Sequence, residues 1–358
     1  MTVRVNKSAF NIREKLSELE RPIGLKGSEL AAAETAQEAR DLVSAGRRNL
    51  IINGDFRVSQ RGDYSSTTTV ANNGYYLDRW KIFLKPGVTT GNIQRLTTNQ
   101  PPNAPADSYS VRVTATNTAS GDLRLSQPFE NPTRFRSQTV TLSAWVKTNS
   151  SNCRLYYFVG GSYNSDDFSD PVNGDGNWHY VSFTTTMRSD ITHFYPIIGI
   201  DGDASANVNI DNGEYFEITQ VQVEFGKNAT DFEYRSYGEE LALCQRYYHE
   251  LGSYTSGNWA IMSLFIGGSA TRAFGSIPTP VTMRRTPDVT FSNVNLHSTY
   301  TENVTNLVAY SQTGRNGEYN GLSFEANTAS GLVSGQVYRM HIKNVSGTSG
   351  YIKLNAEL

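Results

Sequence analysis

The sequence predicts a mainly β protein in three parts: a short N-terminal helical segment, a central β-sandwich closed by a helix, and a smaller C-terminal β domain. Residues 1–48 show apolar residues at helical spacing, whereas apolar and polar residues alternate in many segments after Asn49. The 358 residues include 20 Tyr, 16 Phe and 30 Gly, and only 18% are charged. This composition is typical of strands joined by many turns.

Residues 1–48 form the first part. The first helix ends before Pro22, and its apolar stripe consists of Ala9, Ile12, Leu16 and Leu19. A second, alanine-rich helix is predicted between Ser28, as its N-cap, and Gly46. Two helices of this size cannot bury enough apolar surface to fold alone. We therefore predict an attachment or oligomerisation segment, with packing against the chain's own domain as the alternative.

Residues 49–252 form the second part, and their alternation predicts a two-sheet sandwich. Strands are predicted around 50–52, 79–84, 109–113, 123–127, 140–147, 154–159, 181–183, 194–200, 207–210 and 215–225. In the last strand the phase slips at Thr219-Gln220, because the apolar residues before and after this point occupy even and odd positions. The slip predicts a β-bulge, or a strand that passes from one sheet to the other.

The sandwich is predicted to close with a helix over residues 236–252, SYGEELALCQRYYHELG. Ser236 and Glu239 fit a capping box, and Gly252 fits the helix end. The expected apolar stripe of this helix consists of Leu241, Cys244 and Tyr248.

Residues 253–358 return to strand patterns and predict a domain of about 100 residues. One strand there has apolar residues on both faces, with Met262, Leu264 and Ile266 on one and Ile261 and Phe265 on the other. A strand buried within its own domain is the favoured interpretation, and a subunit contact is the alternative.

Composition narrows the functional classes. Lys plus Arg number 32 against 34 Asp plus Glu, so general nucleic-acid binding is not expected. No apolar run approaches the roughly 20 residues of a membrane-spanning helix, so no membrane insertion is expected. The N-terminal residues lack a secretory apolar region, which predicts synthesis in a cytoplasm. Cys153 and Cys244 exclude a disulfide framework and favour two buried thiols over a single disulfide.

Three motifs together resemble a block of bacteriophage tail-fibre and receptor-binding proteins. They are NLIINGDF (49–56), YYLDRW (75–80) and EYFEITQVQVEFG running into FEYRSYGEELALCQRYY (214–248). The same block, residues 49 to about 250, is similar to jelly-roll carbohydrate-binding modules. This resemblance implies a jelly-roll domain at 49–252, a C-terminal tip domain at 253–358 and attachment to the virion through residues 1–48.

Sugar rings present apolar faces that stack on aromatic side chains, while carboxylates and amides bind the hydroxyl groups. The candidate carbohydrate-binding residues on this basis are Trp145, Tyr163, Asp166 and Asp167 in the central domain, and Tyr254, Trp259, Tyr300 and Tyr319 in the tip domain. Trp145 is of particular interest because its strand alternation places it opposite the apolar face. For each residue, ordinary packing is the alternative.

The residues support metal binding and catalysis less than they support carbohydrate binding. Solvated turn aspartates are the favoured interpretation of the acidic loops, and the resemblance implies a structural Ca²⁺ near Asp55 with Glu224 as its partner. No further cofactor is expected. The five histidines are scattered, and no Gly-x-Ser-x-Gly or His-Glu-x-x-His motif occurs, so we predict a binding protein and no enzyme.

The resemblance therefore predicts a virion structural protein made in the host cytoplasm. It would be a homotrimeric tail fibre that contacts tail adaptor or nozzle proteins through residues 1–48. Its β domains would bind a host surface polysaccharide or receptor. The alternatives are a polysaccharide-degrading tailspike and a head-attached fibre or decoration protein.

Overall fold

Strands dominate the fold, and the predicted fold class is confirmed. The computed structural model describes residues 48–84, 88, 90–102, 104–105, 107–160, 168–200, 209–252, 260–298, 301–313, 319–343 and 349–358. These residues form 22 β-strands, one 3-10 helix (Pro132–Phe135) and one α-helix, α1 (Tyr237–Gln245). The two helices predicted before Asn49 lie outside the described residues.

One layer of the sandwich is an antiparallel sheet of six strands. Its order is Thr68–Val70 (β1), Gly91–Leu96 (β4), Ser110–Ala115 (β5), Tyr215–Phe225 (β13), Thr139–Thr148 (β8) and Trp178–Thr186 (β10). Alternate residues face inward: Val111 and Val113 of β5 are fully buried, whereas Arg112 between them is partly exposed. The sheet therefore has an apolar inner face and a polar outer face.

The second layer has five strands, in the order Tyr75–Leu77 (β2), Trp80–Leu84 (β3), Leu123–Ser126 (β7), Tyr195–Ile200 (β11) and Cys153–Phe158 (β9). A separate two-stranded antiparallel ladder pairs Ala119–Ser120 (β6) with Asn209–Ile210 (β12). The inner residues of both layers, among them Val146 and Ile218 from the first and Leu125 and Ile198 from the second, belong to one hydrophobic core. The arrangement is a two-sheet sandwich.

The bulge predicted in β13 is confirmed. Thr219 pairs with Trp145 of β8, while Gln222 pairs with Ser143, so β13 has one more residue than β8 between these pairs. Gln220 takes up the extra length with a φ of 52°, in the left-handed region. Because of the inserted residue, Ile218 and Val221 both reach the core and both are fully buried.

Two local predictions are wrong. The helix has its predicted capping box at Ser236 and Glu239, but α1 ends at Gln245, and Tyr248 begins strand β14 (Tyr248–Leu251). Residues 50–52 form no strand, although Leu50 N donates one backbone hydrogen bond to Val223 O at 2.9 Å. In both places, contacts with distant segments override the local pattern.

The C-terminal residues form a three-stranded sheet and a closed barrel. In the sheet, Tyr351–Asn355 (β22) lies between β14 and Asp288–Ser292 (β17). The barrel order is Ala260–Gly267 (β15), Arg272–Gly275 (β16), Tyr319–Thr328 (β20), Thr301–Thr313 (β19), Val294–His297 (β18) and Val337–Ile342 (β21), and β21 pairs with β15 to close it. A second hydrophobic core includes Phe265, Phe324 and Met340.

The favoured interpretation of strand β15 is wrong. Phe265 is fully buried in the barrel, but Leu264 and Ile266 on the opposite face are 59% and 55% exposed. The strand is thus buried on one face only, and its other face is apolar and exposed.

The prediction for the two cysteines is confirmed. Cys153 and Cys244 are both free and buried, as predicted. Burial raises the pKa of the Cys153 thiol to about 12, so this thiol stays protonated. Within the described part of the chain, no helix has both the length and the apolar character needed to cross a membrane.

Candidate functional site

The NLIINGDF motif binds the chain's own bulged strand. Asn49 Nδ2 donates to Val221 O at 3.3 Å, and its Oδ1 accepts from Val223 N at 3.3 Å. Val221 N in turn donates to Gly54 O at 2.9 Å. The motif therefore satisfies backbone groups of β13 beyond Ile218, the last residue that pairs with β5, including those of Val221 inside the bulge.

Asn53 organises the rest of this corner. It has a φ of 59°, and its side chain both accepts from Val58 N at 3.0 Å and donates to Val58 O at 2.9 Å. Its backbone carbonyl accepts from Trp80 Nε1 at 2.9 Å, and its backbone N donates to Glu240 Oε1. Residues of all three motifs meet here, since Trp80 belongs to the second and Glu240 to the third.

Buried charges connect the motifs further. Arg79 pairs with Glu357 near the C-terminus, donates to Pro128 O and lies 3.5 Å from the centroid of the Tyr247 ring. Arg235 pairs with Glu240 at 3.2 Å and donates to Ile51 O at 2.7 Å. The polar groups of the motifs thus bind the protein itself, and we conclude that they specify the fold.

The proposed calcium ligands do not form a metal site. Asp55 Oδ2 lies 2.6 Å from the Arg57 guanidinium, and Glu224 accepts hydrogen bonds from Thr230 N and Oγ1. Asp55 Oδ1 is one buried oxygen without a hydrogen-bond partner, whereas calcium takes about six to eight oxygen ligands. The described residues contain no group of three or more His, Cys, Asp or Glu that could hold a metal. The residues at Asp55 therefore do not fit the implied Ca²⁺.

We predict that calcium does not stabilise the protein through Asp55. The Arg57 guanidinium already neutralises this carboxylate, so a divalent cation would meet an adjacent positive charge. Thermal unfolding in millimolar CaCl₂ and in EDTA should give melting temperatures within about 1 °C of each other. A calcium-dependent rise of several degrees that disappears in Asp55→Asn would contradict this prediction.

Most of the sequence-predicted binding residues lie outside the described residues: Tyr163, Asp166, Asp167, Tyr254, Trp259 and Tyr300. Tyr319 is the first residue of β20. Trp145 lies on β8 and is partly exposed.

Trp145 lies on the outer face of the six-stranded sheet, beside two further aromatic residues. Its cross-strand neighbour on β10 is Tyr180, with ring centroids 5.6 Å apart and planes tilted by 58°. Tyr180 is 45% exposed, and Trp145 is partly exposed. Two residues earlier on β10, Trp178 faces the same side and pairs with Lys147 of β8. We call Trp145, Trp178 and Tyr180 the aromatic face.

Neighbouring polar groups hold this face in place. Trp178 Nε1 donates to Asn99 O at 2.5 Å, and Lys147 Nζ lies 5.9 Å from the Trp178 ring centroid. Burial raises the pKa of the Tyr180 hydroxyl above its ordinary value, so this group remains protonated, and it donates a hydrogen bond to Thr230 O at 3.4 Å. The indole of Trp178 is fixed, while beside the rings the Lys147 ammonium can donate hydrogen bonds and the Tyr180 hydroxyl oxygen can accept them.

Charged residues on the next strands complete the outer face. Glu217 of β13 is cross-strand to Lys147 and accepts two bonds from Arg112, at 2.8 and 3.1 Å, and one from Ser110 at 2.7 Å. The Arg112 guanidinium lies 4.5 Å from the Tyr215 ring centroid. Glu217 is fully buried, so the partly exposed Arg112 is the charged group of this set that the face offers to a ligand. Stacking surfaces and ordered polar groups side by side are the chemistry that saccharides require.

The five-stranded sheet also carries aromatic rings on its outer face. Tyr156 packs on Phe168 at 4.8 Å and has the Arg124 guanidinium 5.2 Å from its centroid, while Phe158 contacts Tyr195 at 5.5 Å. Tyr156 is fully buried and Arg124 is only 4% exposed. The centre of this cluster is therefore closed to a large ligand, and the exposed aromatic face of the other sheet is the better candidate.

Sequence reasoning identified Trp145 but missed Trp178 and Tyr180. The signal was present, because both have the same parity as Ser182 and Thr184 and the opposite parity to the inward-facing Val181 and Phe183. What the sequence did not show was the pairing of β10 with β8, which brings Tyr180 to Trp145.

Comparison with known proteins gives structural similarity only. No protein-family model and no curated protein sequence matches the chain. Half of the chain (50%) is similar to 21% of the enzymatically active domain of tailspike protein 4 from bacteriophage CBA120, with a TM-score of 0.33 and 10% identity. The module TmCBM61, solved with β-1,4-galactotriose, matches 50% of this chain over 100% of its own, with a TM-score of 0.29 and 12% identity.

A cyclase from Fischerella sp. matches 51% of this chain over 98% of its own, with a TM-score of 0.35 and 12% identity. The chain thus covers about a fifth of the tailspike domain and nearly all of the two smaller proteins. Similarities at these TM-scores do not assign a function to the chain.

Proposed function

We propose that this chain is a phage receptor-binding fibre that binds host surface polysaccharide through the aromatic face. The observation that carries the proposal is the Trp145–Tyr180 pair beside Trp178 on the polar side of the six-stranded sheet, with Tyr180 exposed and Trp145 partly exposed. Three rings on two neighbouring strands form a platform for the apolar faces of successive sugars. Lys147 and the Tyr180 hydroxyl would bind the sugar hydroxyl groups.

Binding at such a face is expected to be weak in a single chain. Each ring contributes modest stacking energy, and the surface is a sheet face with few enclosing walls. A fibre overcomes this limit by presenting several copies to a repeating polysaccharide, so that the sites act together. The virion role, including attachment to the tail through residues 1–48 and contact with its adaptor or nozzle proteins, is part of the proposal and is supported by the motif resemblance.

We predict that Tyr180→Ala weakens polysaccharide binding about tenfold, because it removes the most exposed ring of the aromatic face. Tyr180→Phe should retain most of the affinity, because it keeps the stacking surface. The measurement is binding of the full-length protein to an array of purified bacterial surface polysaccharides, followed by titration against the best ligand. Tyr237→Ala is the matched control, since Tyr237 is 55% exposed and lies on α1.

Equal affinity in Tyr180→Ala, Trp145→Phe and the control would refute the site. Release of reducing ends from the bound polysaccharide would refute the assignment as a binding protein without catalysis and favour a tailspike. Immunogold labelling of virions with antibody to residues 253–358 tests the location: label on the tail supports a tail fibre, and label on the head refutes it.

A further inference from the structure

The outer surface of the barrel carries a group of exposed apolar side chains, which we call the barrel patch. It consists of Leu264, Ile266, Phe274, Val333 and Val337, which are 59%, 55%, 46%, 57% and 52% exposed. These residues are not needed to fill the barrel, whose core contains Phe265 from the same strand. Exposure of this extent in large apolar residues is typical of an interaction surface.

The register of the barrel makes the patch contiguous. Ile266 on β15 is cross-strand to Phe274 on β16 and to Val337 on β21, so the three side chains form one row. Leu264 lies two residues along β15 on the same face. Val333 joins them because the loop before β21 is held against the end of β15, where Gly335 N donates to Gly267 O at 2.8 Å.

The closed barrel restricts how a partner can bind. At the centre of the patch, Ile266 of β15 is paired on both sides, with Phe274 and with Val337, so a partner cannot add a strand at this point. It must pack side chains against the patch. A partner with a matching flat apolar surface is therefore required.

The charges beside the patch favour a second copy as that partner. On one side, Glu325 of β20 is cross-strand to Phe274. On the other side, Arg339 of β21 is cross-strand to Leu264 and is exposed. The acidic and basic residues thus lie on opposite edges of the same apolar surface.

We propose that the barrel patch binds a second copy of this chain, arranged so that the Glu325 edge of one copy meets the Arg339 edge of the next. Copies placed around a symmetry axis with their patches facing it satisfy both requirements, because each acidic edge meets a basic edge and the apolar row is buried at the centre. The homotrimer predicted from the sequence is one such ring. This contact does not depend on saccharide binding at the aromatic face.

The first test removes the apolar contact in the full-length protein. Leu264→Asn combined with Ile266→Asn should shift the assembly towards smaller species in mass photometry and raise the concentration of half-dissociation at least tenfold. Both side chains point away from the barrel core, so the melting temperature of the dissociated variant should remain close to that of the wild-type protein. Tyr237→Ser, at an exposed residue of α1 outside the patch, should leave the assembly unchanged.

The second test distinguishes a copy of this chain from any other partner. Glu325→Arg and Arg339→Glu should each weaken the assembly, and the double variant should restore it, because the two charges then meet again in exchanged positions. A wild-type protein that is monomeric at micromolar concentration overturns the proposal. So does an assembly unaffected by the asparagine pair, or a double variant that remains as weak as the single ones.

Discussion

Replacing Arg79 by methionine is expected to lower the free energy of unfolding by about 3–5 kcal/mol. Arg79 is 1% exposed and pairs with Glu357, which lies 278 residues later in the chain. Without the guanidinium, a buried carboxylate loses its main partner, and Pro128 O loses its donor. Urea unfolding followed by circular dichroism measures the change. Arg61, 3.1 Å from Glu357, remains as a second cation but is partly exposed and reaches only one oxygen.

An exposed ion pair provides the control. Arg285 and Asp288 lie 2.6 Å apart, but their side chains are 40% and 74% exposed, so Arg285→Ala should change the unfolding free energy by less than about 1 kcal/mol. The combined Arg79→Met and Glu357→Met variant should recover much of the lost stability, because no buried charge then remains unpaired. Equal effects of Arg79→Met and Arg285→Ala would contradict the prediction.

This ion pair also explains part of the motif resemblance. Arg79 belongs to YYLDRW, and its partner follows β22, the strand that joins β14 after the third motif. The second motif thus fastens the C-terminal strand to the sandwich. The resemblance was found in residues that hold the protein together, and it therefore contains little information about which ligand is bound.

The bulge in β13 shows what the sequence specifies well. A strand with one buried face must keep its apolar residues in phase, so the change of phase at Thr219-Gln220 could only be accommodated by an inserted residue or a change of sheet. The structure has the inserted residue, at Gln220 with its positive φ. Alternation likewise placed Trp145 on the outer face before any pairing was known.

Long-range pairing is what the sequence did not show. Tyr248 and its neighbours continue a helical pattern, but they form β14 because β22 provides backbone partners for them more than 100 residues later. For the same reason, Tyr180 could not be assigned to Trp145, since the contact depends on the register between β8 and β10. Leu264 and Ile266 were assigned to a buried strand, because a sequence pattern cannot separate an apolar face that fills a core from one that remains exposed.

Gly54→Ala is expected to destabilise the protein by about 3 kcal/mol, because a Cβ at this position would lie 2.2 Å from Val221 O. The atom in its way is backbone, on the strand that carries the bulge, so no side chain can rotate to make room. Moving apart would stretch the bond between Val221 N and Gly54 O and the contacts of Asn49 with the same strand. The glycine of NLIINGDF is therefore required by the close approach of two backbones.

The matched variant is Gly238→Ala on α1, where an added Cβ meets no atom within 4 Å. This change should be neutral or stabilise the protein by up to about 1 kcal/mol, since alanine favours a helix over glycine. Urea unfolding of both variants decides the point. If Gly54→Ala unfolds at the same urea concentration as the wild type, then the motif does not hold the bulge, and the phase change in β13 must be maintained by the core residues Ile218 and Val221 alone.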